Sequence, residues 1–270
     1  MSSRWDPVQY ARYEQERGRP FADLLARVAA ERPALVVDLG CGHGPLTVGL
    51  AARWPGAHVV GVDSSPQMLA RARELDRHGR VEWVEADVRQ WDPRSLGASP
   101  DVIVTNATLQ WVPRHVGLLP RWVGALAAGG WFALQVPANF DAPSHVLLRD
   151  TAAEHPRAVE LTASLRGADS VGDAAAYADT LARLDCSVDA WETTYLHILD
   201  PEGRTANPVL EWTKATALRP VLDLLTDPAE RQAFLDRYAA KLADAYPRRP
   251  YGTPLSFRRV FAVAQKEAPA

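Results

Sequence analysis

The feature that most constrains this chain of 270 residues is a glycine-rich segment that directly follows a short apolar run. The apolar residues 35–37 end at Asp38, and alternate positions then hold glycine: Gly40, Gly42 and Gly44. Such a run is typical of a buried strand in a parallel sheet. Glycine permits positive φ angles and close approach of the backbone to a ligand. A helix expected from about residue 46 to 53 would direct its N-terminal amides at the turn, so the segment predicts a nucleotide-type ligand site.

The spacing of the glycines separates two classes of ligand. The dinucleotide fingerprint Gly-x-Gly-x-x-Gly requires a third glycine where this chain has Pro45. The carboxylate of Asp38 would repel a pyrophosphate, whereas it suits a ligand that carries an ammonium group. The pattern therefore disfavours a nicotinamide-dependent dehydrogenase and favours a cationic ligand.

Two further acids follow predicted strands. Asp63 ends the strand predicted at residues 58–63, at a distance from the turn where an acid can accept hydrogen bonds from both hydroxyls of a ribose. Asp87 follows the strand predicted at residues 81–86, where it could accept a hydrogen bond from an adenine amine. One such acid alone would more often cap a helix. The series of three favours a positively charged ligand that contains adenosine.

Together with Asn106, this series resembles the motifs of the class I S-adenosylmethionine-dependent methyltransferases. The resemblance implies S-adenosyl-L-methionine as cofactor and S-adenosyl-L-homocysteine as product. It implies that Asp38 and the glycine turn hold the methionine portion, that Asp63 holds the ribose and that Asp87 lies beside the adenine. The cofactor-binding residues expected from the resemblance are Asp38, Gly40, Gly42, Gly44, Asp63, Ser64, Met68, Asp87, Val88 and Asn106. For Met68, which could cover the adenine, a position in the hydrophobic core is an equal alternative.

A closer resemblance, to the trans-aconitate 2-methyltransferases, extends over nearly the whole chain. It rests on residues 5–10, 17–20, 106–111, 135–137, 191–195 and 211–220. It implies an enzyme that forms a monomethyl ester on a carboxylate of trans-aconitate or a similar small tricarboxylic acid. Two alternatives stay open, namely a methyltransferase with a phenol or amine acceptor and a non-catalytic regulator that binds S-adenosylmethionine.

Methylation of a carboxylate needs no general base, because a carboxylic acid with a pKa of about 4 is ionised at neutral pH. Arginine is expected to bind the carboxylates that do not react, since bidentate pairing gives strength and direction. Neutral donors are expected to orient the reacting carboxylate. The substrate-binding candidates are Arg219, Arg19, Arg258 and Trp111, and the orienting candidates are Tyr10, Tyr195 and Trp212. Surface pairing of the arginines and packing of the tryptophans are the alternatives.

The pattern of elements predicts an α/β fold with a doubly wound, mostly parallel sheet. Strands are predicted at 35–38, 58–63, 81–86, 101–106 and 131–136, and helices at 45–53, 66–76 and 117–128. A preceding helix is predicted to have Pro20 in its first position. After residue 137 we predict helices at 143–154, at 173–184 and over most of 207–245, and strands at 187–199 and 255–265. These last two strands complete a seven-stranded Rossmann-like sheet.

We expect a single methyltransferase domain over residues 1–270. Within it, we predict an N-terminal helical lid (1–31), a cofactor-binding core (32–137) and an inserted helical cap (201–250). A hydrophobic content of 47% and a charged content of 23% are ordinary for a globular protein.

Composition also restricts the partners. A net charge of −3 argues against nucleic acid as a partner. No run of 18 apolar residues occurs and residues 1–10 contain no apolar signal region, so we expect a cytoplasmic protein without a membrane partner. Cys41 and Cys186 lack metal-ligand spacing, so no metal is expected. The expected partner is a small acidic substrate, with no obligate protein partner.

Overall fold

The computed structural model describes residues 14–214 and 216–268, with the side chains of residues 14–17 and 168 left outside the description. The α-helices and strands of these residues are, in chain order, α1 (Glu14–Leu25), β1 (Leu35–Leu39), α2 (Pro45–Arg53), β2 (His58–Asp63), α3 (Pro66–Leu75), β3 (Val81–Glu85), β4 (Val102–Asn106), α4 (Leu119–Ala125), β5 (Trp131–Pro137), α5 (Pro143–Ala153), α6 (Ala158–Ser164), α7 (Ala174–Ala182), β6 (Cys186–Leu199), α8 (Pro208–Lys214), α9 (Arg219–Leu224), α10 (Pro228–Ala245) and β7 (Thr253–Lys266).

The seven strands form one sheet in the order β3-β2-β1-β4-β5-β7-β6. Strands β1 to β5 pair in parallel, and β7 pairs antiparallel with β5. This arrangement confirms the predicted doubly wound, mostly parallel α/β fold. The strand order reverses at β1, which pairs with β2 on one side and with β4 on the other. In open α/β sheets, ligands bind outside the carboxyl ends of the strands at such a reversal.

The central strands form because their side chains are apolar on both faces. All five residues of β1 are buried, and Val36 and Val37 are completely inaccessible to solvent. The neighbouring strand β4 buries Val102, Ile103 and Val104 equally well. Each such side chain contributes about 1.5–3 kcal/mol when it leaves water. The same burial leaves only the strand ends available for polar, ligand-binding side chains.

The chain divides into two compact units. The sheet unit contains described residues 14–137, 170–193 and 259–268, and it includes β1 to β5. The helical unit contains described residues 138–169, 194–214 and 216–258. The predicted single domain, with its lid, core and cap, stays a prediction.

Within the helical unit, α10 packs through one face and holds the start of α5. Phe234, Tyr238 and Leu242, spaced four residues apart, are buried. The hydroxyl of Tyr238 donates to the carbonyl of Ser144 (2.7 Å), and the amide of Ser144 donates to the hydroxyl of Tyr246 (2.9 Å). The N-terminal turn of α5 is thereby fixed in position.

One predicted boundary is wrong. Pro20 lies inside α1, not at its first position. Proline in a helix interior removes a backbone hydrogen bond, so the pattern alone favours a helix start there. The burial of Phe21, Leu24 and Leu25 on one face of α1 offsets that loss. Among the described helices, none is both long enough and apolar enough to cross a membrane.

Candidate cofactor and substrate sites

The glycine turn between β1 and α2 uses its own amides within the protein. Gly40 and Cys41 both donate to the carbonyl of Val62, at 2.8 and 3.1 Å. The amide of Gly42 donates to Oδ2 of Asp63 at 2.9 Å. A pyrophosphate would need these groups as donors, whereas here they are occupied. These three amides are therefore unfavourable for a pyrophosphate, and the carboxylates of Asp38 and Asp63 beside the turn favour a cation.

Asp38 is a buried carboxylate, with 3% of its surface exposed. Its Oδ2 accepts a hydrogen bond of 2.6 Å from the hydroxyl of Thr47 on α2. Burial raises its pKa to about 7; the bond from Thr47 opposes this rise, and the nearby charge of Asp63 adds to it. A carboxyl in this state gains from a positively charged ligand, which would favour its ionised form.

Asp63 stands at the end of β2 and joins the turn to α3. Burial raises its pKa, and hydrogen bonds from the amides of Ser65, Gly42 and Ser64 oppose the rise. Ser65 caps α3 by accepting a bond of 3.3 Å from the amide of Met68, whose side chain is buried. The side chain of Ser64 is exposed. The ribose assignment for Asp63 stays a prediction, and the strand end places its carboxylate directly beside the glycine turn.

Asp87, at the exit of β3, is paired with Arg89. The guanidinium Nε lies 2.9 Å and 3.0 Å from the two carboxylate oxygens, and the hydrogen bond from Arg89 lowers the pKa of Asp87. Val88, which follows Asp87, is buried, and its carbonyl accepts a bond from Arg121. An adenine amine would have to share the Asp87 carboxylate with Arg89. This contact was missed at the sequence level, although a spacing of two residues could have indicated it.

The carboxyl ends of β4 and β5 bring together amides that sequence reasoning only partly identified. Asn106 lies in register with Gln135 of β5. Oδ1 of Asn106 and Nε2 of Gln135 are buried, and neither forms a hydrogen bond in the described structure. Gln135 accepts a bond of 3.1 Å from Arg259 on β7. Gln135 was detectable as a polar residue in an otherwise apolar strand, whereas Arg259 required the pairing of β5 with β7.

The remaining predicted substrate residues are distributed over both units. In the sheet unit, Arg19 is exposed on α1, and Trp111 ends a short 3₁₀ turn and is half-buried. In the helical unit, Arg219 begins α9 and pairs with Asp223 at 3.1 Å. Arg258 is half-buried there, and its amide donates to Asn139 at 2.6 Å. Tyr10 lies outside the described residues.

Tyr195 and Trp212 belong to an aromatic cluster in the helical unit, and both are buried. Tyr195 stacks on His197, with the ring centres 6.2 Å apart, and His197 stacks on Trp212 at 5.1 Å. Phe257 meets the edge of Trp212 at 5.4 Å. Such a cluster provides an apolar, water-poor environment, while the orienting roles of the two predicted residues stay predictions.

Comparison with known proteins identifies the family. Residues 36–130 match the family model described as a methyltransferase domain. The trans-aconitate 2-methyltransferase of Rhodococcus jostii is 51% identical, with 97% of this chain and 99% of that protein covered. The trans-aconitate 2-methyltransferase of Streptomyces avermitilis is 49% identical, with 98% and 97% covered. This chain belongs to the trans-aconitate 2-methyltransferase family.

This membership confirms the prediction, made from the motif series, that the chain is an S-adenosylmethionine-dependent methyltransferase. Solved structures of other proteins share the fold of this trans-aconitate 2-methyltransferase family member. The YcgJ protein of Bacillus subtilis matches with a TM-score of 0.58 at 12% identity, covering 93% of this chain and all of that one. The plantazolicin methyltransferase BpumL, solved in complex with S-adenosylhomocysteine, matches with a TM-score of 0.53 at 13% identity, covering 97% and 90%.

Gly40 shows how closely the turn of this methyltransferase is packed. Its φ is +78°, and a Cβ atom at this position would lie 2.1 Å from the hydroxyl of Thr108. That hydroxyl donates to the Gly40 carbonyl at 3.2 Å. Sequence analysis did not single out Thr108, because its contact joins segments distant along the chain.

We expect Gly40→Ala to reduce the free energy of unfolding by about 1–3 kcal/mol, because it adds backbone strain to a steric clash. Gly49→Ala is the matched control: Gly49 lies in the exposed part of α2 with open space around it, and alanine there should stabilise the protein by about 0.5–1 kcal/mol. Urea denaturation of both variants measures the difference. Equal stabilities would show that the turn yields to the added methyl group.

Proposed function

We propose that this protein transfers the methyl group of S-adenosylmethionine to a carboxylate of trans-aconitate and releases a monomethyl ester. Relatives that carry this name are 48–51% identical over nearly the full chain. The observation that carries the proposal is the pair Asp38 and Asp63 beside a turn whose amides are already bonded. Two carboxylates in this position support the binding of a positively charged ligand.

The residues support a mechanism that needs no general base. The acceptor carboxylate is ionised at neutral pH and attacks the methyl carbon directly. The oxygen–carbon bond forms as the sulfur–carbon bond breaks, and the electron pair of that bond stays on sulfur. Both reacting groups lose their charge in this step, so a water-poor environment favours transfer. The protein's task is to hold oxygen, carbon and sulfur in line, which can supply roughly 7–11 kcal/mol.

The proposal includes a binding role for each part of the cofactor. We assign the methionine ammonium to Asp38 and the glycine turn, and the ribose hydroxyls to Asp63. We assign the adenine to the neighbourhood of Asp87, Val88 and Met68. We further propose that the enzyme acts in the cytoplasm on a free small acid, without a nucleic acid, membrane or protein partner.

The test is incubation with methyl-labelled S-adenosylmethionine and a panel of acceptors that contains trans-aconitate, cis-aconitate, citrate, a phenol and an amine. We expect label in an alkali-labile monomethyl ester of trans-aconitate, identified by mass spectrometry. Transfer to the phenol or the amine alone would replace the acceptor class. Binding of the cofactor without transfer to any acceptor would favour a non-catalytic role.

Arg219 offers a prediction on the substrate side. We expect Arg219→Ala to raise the KM for trans-aconitate about five- to tenfold, because the proposed hydrogen bond from the partly exposed guanidinium to a substrate carboxylate is lost. The dissociation constant of S-adenosylhomocysteine should not change. Asp223→Asn is the matched control, since it removes the ion-pair partner of Arg219 at 3.1 Å and leaves the guanidinium in place. Unchanged kinetics in Arg219→Ala would remove this residue from the substrate site.

A further inference from the structure

Trp83 of β3 fills the space beside two glycines, one in β2 and one in the glycine turn. It lies in register with Gly61 of β2. A Cβ atom added at Gly61 would lie 2.7 Å from Cζ3 of Trp83, and one added at Gly44 would lie 2.6 Å from its Cη2. Both distances are shorter than real Cβ atoms show. The six-membered ring of the indole therefore packs directly on the backbone of both glycines.

Gly44 is also enclosed from a second side. A Cβ atom there would lie 2.8 Å from Cβ of Ala72, a residue of α3 that is completely buried. Gly44 has a φ of +89° and stands at the N-terminus of α2, where its carbonyl accepts a bond of 2.9 Å from the amide of Val48. Glycine combines this backbone conformation with such close packing. Trp83 and Ala72 therefore fix the point at which the glycine turn ends and α2 begins.

The three glycines of the turn differ in the space around them. At Gly40 and Gly44 a Cβ atom would clash with a side chain of the protein. At Gly42, chain neighbours apart, no atom of the described residues lies within 4 Å of the position that a Cβ atom would take. The backbone at Gly42 is thus open to a ligand, whereas Gly44 is surrounded by groups of the protein itself.

The segment that Trp83 holds leads directly to Asp38. Gly44 is followed by the first turn of α2, which begins at Pro45 and contains Thr47. The hydroxyl of Thr47 donates to Oδ2 of Asp38 at 2.6 Å. A shift of Gly44 would therefore move the donor that orients the Asp38 carboxylate.

We propose that Trp83 is a positioning residue of the cofactor site. Its indole keeps Gly44 and the first turn of α2 in the place where Thr47 bonds to Asp38. This inference rests on the proposed function, in which Asp38 and the glycine turn hold the methionine portion of S-adenosylmethionine. An indole suits this task, because it offers a large, rigid contact area and loses little conformational entropy.

Trp83→Leu tests the proposal, because leucine is apolar but too short to reach Gly44. Trp54→Leu is the matched control: Trp54 is a buried tryptophan at the opposite end of α2, where its indole donates to the carbonyl of Ala30 at 2.9 Å. We expect Trp83→Leu to raise the dissociation constant of S-adenosylmethionine about 5- to 30-fold, as for a residue that acts through a packed neighbour. Trp54→Leu should lose stability and keep the affinity of the parent.

Kinetics separate positioning from a general loss of stability. In Trp83→Leu the KM for S-adenosylmethionine should rise, whereas kcat and the KM for trans-aconitate, measured with saturating cofactor, should stay at the parent's values. Trp83→Phe, the conservative variant, should lie between Trp83→Leu and the parent. Gly61→Ala should weaken cofactor binding in the parent, because its methyl group displaces the indole, and should have no further effect in Trp83→Leu.

The outcomes separate this inference from the proposed function. If Trp83→Leu melts at a lower temperature but binds S-adenosylmethionine like the parent, the positioning role is wrong, and transfer to trans-aconitate by the parent leaves the proposed function standing. If the parent methylates no acid but its cofactor binding depends on Trp83 as predicted, the proposed function is wrong and the positioning role stands. Equal losses of affinity in Trp83→Leu and Trp54→Leu would overturn the role. If Trp83→Leu does not fold, the same comparison between Trp83→Phe and Trp54→Phe decides the matter.

Discussion

Replacing Asp63 by alanine is expected to raise the dissociation constant of S-adenosylmethionine about 100- to 10,000-fold. Two hydroxyls of a ribose would each lose a hydrogen bond to a charged acceptor, and each such bond contributes about 1.5–3 kcal/mol. The carboxylate also accepts bonds from Gly42 (2.9 Å) and Ser65 (2.8 Å), so its removal loosens the turn as well. Isothermal calorimetry at pH 8 measures the effect directly.

Asp92→Ala is the matched control for Asp63→Ala. Asp92 accepts a hydrogen bond of 3.0 Å from the amide of Arg94 and so caps a short 3₁₀ helix in the same unit. Its loss should cost stability, as loss of a capping carboxylate does, and leave cofactor affinity unchanged. If Asp63→Ala bound the cofactor as well as Asp92→Ala does, the ribose would be held elsewhere.

The second large effect is a dependence of cofactor binding on pH, set by Asp38. Its pKa of about 7 in the ligand-free protein means that, below pH 7, a proton must leave before the carboxylate can receive an ammonium group. We expect the affinity for S-adenosylmethionine to fall by about tenfold per pH unit from pH 7 to pH 5.5. Asp38→Asn should bind about 100-fold more weakly at pH 8 and should lack this slope. A parent enzyme with constant affinity over this range would contradict the assignment.

The carboxyl of Asp38 gives the stability of the folded protein a pH dependence opposite to that of cofactor affinity: as the pH rises, affinity increases and stability decreases. Its pKa in the folded state is raised from 3.8 to about 7, so its contribution to stability is present below pH 3.8 and is lost as the pH rises towards 7. At pH 8 the buried carboxyl of Asp38 is therefore ionised, which lowers the stability of the folded protein without cofactor. Asp38→Asn should raise the melting temperature of the ligand-free protein at pH 8, and the gain should shrink as the pH falls to 5.

Thr47→Val, which removes the hydroxyl that donates to Asp38 at 2.6 Å, should move the pH dependence of cofactor binding to higher pH.

The parts of this molecule that sequence predicted are those in which local pattern and tertiary role agree. Apolar runs that end in Asp38 and Asp63 indicated the strands, which the structure confirms, and the sheet edge at which we propose that the ligand binds. Ser65 followed by proline indicated the start of α3, and the cap is present. These features depend on residues within a few positions of one another, so no knowledge of the tertiary fold was needed.

The missed features depend on contacts between distant segments. The sequence pattern predicts a helix start at Pro20, because only tertiary burial reveals that the helix continues through this residue. Thr108 lies 68 residues from Gly40 along the chain. Trp83 contacts Gly44 and Gly61 only after β2 and β3 have paired. Composition marks such residues as ordinary polar or aromatic positions.

The occupied amides of the glycine turn have a consequence for the kinetics of ligand capture. Gly40, Cys41 and Gly42 donate to Val62 and Asp63 of β2, so the conformation of the loop is held by hydrogen bonds of the protein itself. Association should then proceed without a slow ordering step, and little conformational entropy should be spent on this segment. Hydrogen–deuterium exchange would find these amides protected in the empty enzyme and scarcely altered by the cofactor, the pattern of a preformed receptor.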